Sequence, residues 1–113
     1  MKKILVFVEE KNGVLKRTSA EAITAAVATG LPVVGACVGA GVKENELAEY
    51  GLSAIVRMEH VLLGQHSSQA IAVALSQCAA SEGCDGIFFA ANAAGKEIAP
   101  RVAVRMNAAM IPD

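Results

Sequence analysis

A lysine follows a glycine in a segment of otherwise small residues, Asn92-Ala93-Ala94-Gly95-Lys96, between an apolar run and a predicted helix. Backbone N–H groups at a helix start, with an ammonium group beside them, can bind a phosphate or a carboxylate. Asn92, Gly95 and Lys96 are therefore candidate residues for an anion or nucleotide site. Glu97 opposes an anion by repulsion. A plain turn at Gly95, with Lys96 in solvent or paired with Glu97, stays open as the alternative.

Two well-known phosphate motifs do not fit the chain. A P-loop around Gly95-Lys96 needs glycine at position 90 and serine or threonine at 97, where the chain has Ala90 and Glu97. A dinucleotide fingerprint at Gly39-Ala40-Gly41 needs a third glycine where Glu44 stands. It also follows the second predicted strand instead of the first. The glycines at 39 and 41 therefore indicate a tight turn.

The other side chains that could do chemistry form no catalytic set. His60 and His66 are six residues apart and have no neighbouring cysteine or carboxylate cluster, so a zinc site is not expected. Glu9 and Glu10 are adjacent on a strand and point to opposite faces, which argues against a pair of catalytic carboxylates. We predict no catalytic residue, no metal ligand and no enzymatic activity.

A basic face is predicted on the last helix. Arg101 and Arg105 are four residues apart and lie on one side of that helix, with Lys96 near its start. This face either is solvated or contacts the acidic surface of a partner, and the residues alone leave both interpretations open.

Composition indicates one domain with an apolar interior. The chain has 113 residues, of which 54% are hydrophobic and 19% charged, with a formal net charge of -1. There is no basic excess for nucleic acid. No apolar run approaches the ~18 residues of a membrane span. The first apolar run is too short for a signal peptide. Three cysteines without CxxC spacing predict buried, reduced thiols.

Strands and helices alternate along the chain, which predicts right-handed parallel crossovers and a doubly wound sheet. The predicted strands are residues 3–9, 33–38, 54–58 and 86–91, and the predicted helices are residues 18–30, 44–50, 68–82 and 98–106. A turn at 11–13 precedes a short extended segment at 14–16. Thr18 and Glu21 predict a capping box. Residues 108–111 resemble the first half of a fifth strand, which predicts a sheet truncated there.

The run from Phe89 to Ala103 has the sequence FAANAAGKEIAPRVA. It resembles a block of the N-terminal domain of electron transfer flavoprotein α subunits, in which a strand is followed by the motif TGKDLAPR and a helix. Further matches are the first strand with its turn, Tyr50-Gly51, and His60 with Leu62-Leu63. The resemblance covers essentially the whole chain. Ala94 and Glu97 stand where the family often has a hydroxyl residue and aspartate, so we expect no hydroxyl contact by this loop.

The resemblance implies a three-layer α/β fold with a doubly wound parallel sheet, Rossmann-like and of the adenine nucleotide α-hydrolase and universal stress protein type. It implies that residues 1–113 are a single α/β domain, the N-terminal part of a longer α subunit whose FAD domain is absent. A bacterial, cytoplasmic location is expected, without nucleic acid or membrane insertion.

The resemblance also implies a function. Such α subunits pair with a β subunit and carry electrons on FAD from acyl-CoA or other dehydrogenases to an acceptor. FAD is held mainly by the α subunit's C-terminal domain, and AMP is expected in the partner subunit. Asn92, Gly95 and Lys96 would then line the flavin cleft, while Lys96, Arg101 and Arg105 would lie at the subunit interface.

Two hypotheses follow from these observations. The first is a non-catalytic module that docks a β subunit and supports electron transfer through FAD bound elsewhere. The second is a stand-alone adenine-nucleotide-binding domain of the universal stress protein type, which predicts ATP or AMP binding that depends on Lys96.

Overall fold

The computed structural model describes residues 2–11, 14–38, 49–58, 68–89 and residue 98. Several predicted features lie outside these residues: the turn at 39–41, most of the helix at 44–50, the histidine loop at 59–66 and the fifth strand at 108–111. Of the predicted helix at 98–106 only Ile98 is described, and it is helical and buried.

Among the described residues, four parallel strands form the main sheet. They are β1 (Ile4–Val8), β4 (Val33–Val38), β5 (Ala54–Met58) and β6 (Gly86–Phe88), in the spatial order β5-β4-β1-β6. The predicted bounds of β4 and β5 are confirmed. Two further strands, β2 (Glu10–Lys11) and β3 (Val14–Leu15), pair as an antiparallel hairpin after β1. The predicted turn at 11–13 and the extended segment after it therefore indicated correctly that the chain folds back on β2.

In the described part of the chain, a helix packs on each face of the sheet, and β1 alternates its side chains between the two cores. Leu5 and Phe7 join the core that contains the buried face of helix α2 (Ser68–Glu82). Ile4, Val6 and Val8 join the core that contains the buried face of helix α1 (Arg17–Val27). All five β1 residues are buried, and each such apolar side chain contributes roughly 1.5–3 kcal/mol on transfer from water. The three-layer, doubly wound prediction is confirmed.

The start of α1 differs from the prediction. The helix begins at Arg17 with Lys16 as its N-cap, and no side chain caps it. The predicted capping box of Thr18 and Glu21 is therefore wrong, since Thr18 already lies in the first turn. Glu21 instead forms an exposed pair with Arg17, at 3.3 Å.

Glycine ends α2 as predicted, through a Schellman motif. Gly83 adopts a φ of 70°, which favours glycine. Its N–H donates to the carbonyl of Ala80, and the N–H of Cys84 donates to the carbonyl of Ala79 at 2.8 Å. Cys84 and Ala79 are both buried in the α2-side core. The motif thus turns the chain directly into β6.

Cys37 and Cys84 are buried, and Cys78 is half-buried. Burial raises the pKa of the Cys78 thiol and of the Cys84 thiol above the ordinary value. Within the described segments, no helix is both long enough and apolar enough to cross a membrane.

Candidate functional site

The order of strands places a topological switch point between β1 and β6. The chain runs from β1 through α1 to β4 and on to β5 on one side, and then returns to β6 on the other side of β1. Open α/β sheets bind ligands outside the carboxyl ends of the strands at such a point. The residues that leave this edge are Glu9 after β1 and Phe89 after β6.

Aromatic packing joins the two strands at this edge. β6 pairs with β1 through Val6 and Phe88. One residue beyond this pair on each chain segment, the rings of Phe7 and Phe89 lie 6.1 Å apart at a tilt of 59°. This is a favourable aromatic geometry. Phe89 is the last described residue before the segment 90–97, so this contact fixes the end of the described part of the chain at this edge.

Three polar residues meet at the base of the β2–β3 hairpin, and we call Glu9, Lys16 and Ser19 the hairpin junction. The Glu9 N–H donates to Ser19 Oγ at 2.8 Å, and Ser19 is fully buried in α1. The Lys16 N–H donates to the Glu9 carbonyl at 3.1 Å. Lys16 Nζ also lies 3.3 Å from Glu9 Oε2. The junction ties the end of β1 to the start of α1.

The hairpin junction pairs polar groups at the end of β1 that could otherwise contact a ligand at this edge. The Glu9 side chain is 9% exposed and the Lys16 side chain 39%. The Glu9 carboxylate is therefore neutralised by a cation of its own chain, and its backbone N–H and carbonyl are both paired. This side of the switch point fixes the hairpin and α1 in place through groups that are already paired with one another.

The opposite, amino edge of β1 and β6 is held by Asp85. Its carboxylate accepts hydrogen bonds from the backbone N–H of Lys2, at 2.9 and 2.8 Å, and from that of Lys3, at 3.1 Å. These bonds from the N–H groups of Lys3 and Lys2 lower the pKa of Asp85 below its ordinary value. The Asp85 N–H in turn donates to the Lys3 carbonyl at 3.1 Å. Asp85 thus fixes the register of β6 on β1 and, through it, the position of Phe89.

The predicted site residues lie outside the described part of the chain: Asn92, Gly95, Lys96, Arg101 and Arg105. Their assignment as an anion, nucleotide or flavin-cleft loop and as an interface stays a prediction. Among the residues that the structure describes, no group of three His, Cys, Asp or Glu side chains could hold a metal ion.

Sequence reasoning missed the hairpin junction. In the sequence, Glu9 ends the first predicted strand and Ser19 lies within the predicted capping box, and neither position indicates a contact between the two. The one available signal was the spacing of Glu9 and Lys16, which flank the turn at near-equal distance and carry opposite charges. That spacing is expected of cross-strand neighbours at the base of a hairpin.

Comparison with known proteins agrees with this architecture. The model of the electron transfer flavoprotein domain family matches residues 4–113. Proteins named electron transfer flavoprotein subunit alpha from Mycobacterium tuberculosis, strains CDC 1551 / Oshkosh and ATCC 25618 / H37Rv, are each 37% identical over the whole chain. The subunit of the same name from Bacillus subtilis strain 168 is 27% identical over 99% of the chain.

The chain spans 36% of the length of these curated relatives. The matched region runs over β1, both described helices and β6, and it includes the switch point and the segment that follows Phe89. The resemblance in the sequence is therefore confirmed: this chain belongs to the electron transfer flavoprotein domain family.

Proposed function

We propose that this chain is the N-terminal α/β domain of an electron transfer flavoprotein α subunit and that its role is to dock the β subunit. The observation that carries the proposal is the family match from residue 4 to residue 113, together with relatives that are named as alpha subunits. Residues 1–113 then act as one assembly module. Electrons pass through flavin held elsewhere in the complex, so the chain is an electron-carrier component and not an enzyme.

The described architecture supports a role as a rigid scaffold. β1 is buried on both faces, each face has its own helix, and both edges of the β1–β6 pair are fixed by specific contacts. Rigid elements of this kind present loops in a defined geometry. The loop with Asn92, Gly95 and Lys96 would line the flavin cleft. Lys96, Arg101 and Arg105 would contact acidic groups of the β subunit.

The cofactor assignments follow the same proposal. FAD would be held mainly by a part of the α subunit beyond this chain, and AMP by the partner subunit. The hairpin junction is consistent with this, because the polar groups of Glu9 are already paired with Ser19 and Lys16. Acyl-CoA dehydrogenases or other dehydrogenases would bind the assembled complex in the cytoplasm.

Affinity capture tests the docking role. The chain is immobilised and exposed to the β subunit of the same organism, and we expect capture in a 1:1 ratio. Lys96→Ala and Arg101→Ala should each weaken capture, because each removes a cation from the proposed interface. Lys2→Ala is the matched control, since its backbone lies at the amino edge beside Asp85.

Two results would contradict the docking role. Absence of capture by the unaltered chain would do so directly. Binding of ATP or AMP by the chain, lost in Lys96→Ala, would favour the nucleotide-binding alternative instead.

A further inference from the structure

We draw no further inference here: the strongest candidate, the N-terminus of helix α1 beside the carboxyl end of β1, lacks a side-chain cap but carries nothing, because its flanking cations Lys16 and Arg17 already pair with Glu9 and Glu21 and no second feature among the described residues points to a ligand there.

Discussion

Asp85 shows how one exposed carboxylate can fix a strand without being buried. It accepts hydrogen bonds from two successive backbone N–H groups, those of Lys2 and Lys3. The pairing of Ile4 with Gly86 follows directly from this contact. No local pattern in the sequence predicts this contact, because it joins positions 2 and 85.

We predict that Asp85→Ala lowers the urea midpoint at pH 7 and that the difference from the unaltered chain disappears in acid. The folded-state pKa of Asp85 lies below its ordinary value of 3.8. Its contribution is therefore fully present above that value and is lost as the pH falls through the folded-state pKa. Glu49→Ala, at an exposed turn, serves as the control. A difference that stays constant down to pH 2 would contradict this account.

Gly35 in β4 is required by close packing. A Cβ there would lie 2.9 Å from Leu52 Cδ1 and 3.5 Å from Val8 Cγ2. We predict that Gly35→Val costs about 1–3 kcal/mol of unfolding free energy through overpacking. Gly35→Ala should cost much less, because only the end of the Leu52 side chain has to move. Chemical denaturation of both variants checks this, and similar costs for the two would contradict it.

At the scale of elements, the residue pattern around proline, glycine and apolar runs predicted the strand and helix ends that depend on local geometry. Pro32 and the apolar run after it placed β4 at Val33–Val38, and Gly83 ended α2. The N-cap of α1 is Lys16, two residues before the predicted Thr18, and Ser19 accepts a hydrogen bond from the Glu9 N–H. β6 was predicted over 86–91, whereas its pairing ends at Phe88 and Phe89 lies outside the strand. Positions 90 and 91 are outside the described residues.

The buried face of helix α2 contributes to the stability of the core on its side of the sheet. Leu75 is fully buried in the core shared with Leu5 and Phe7. We predict that Leu75→Ala costs about 2–5 kcal/mol, since it removes apolar contacts and leaves a cavity. Gln77→Ala, on the exposed side of the same helix, should stay within about 0.5 kcal/mol. Equal costs in thermal or urea unfolding would show that α2 does not pack as described.

At the scale of the molecule, the fold class was predictable but the order of strands was not. Alternating strands and helices indicated a doubly wound sheet. The order β5-β4-β1-β6 depends on pairings between residues some eighty positions apart, such as Ile4 with Gly86. The switch point could be located only once those pairings were known.

The candidate site around Gly95 and Lys96 lies outside the described residues and stays a prediction. The family block around Gly95 and Lys96 indicated a loop at the carboxyl edge, and the structure places Phe89, which precedes that loop, at the switch point. The hairpin junction was not predicted, because its three residues are ordinary types whose meeting depends on the tertiary fold. The extent of the domain, residues 1–113, stays a prediction, since the chain spans 36% of its relatives.

The central claim is that this chain assembles with a β subunit. Light scattering of an equimolar mixture of the chain and the β subunit of the same organism, separated by size, tests it most directly. The account predicts one species whose mass is the sum of the two chains and whose yield falls in Lys96→Ala. Two species, each at the mass of its separate component, would contradict it.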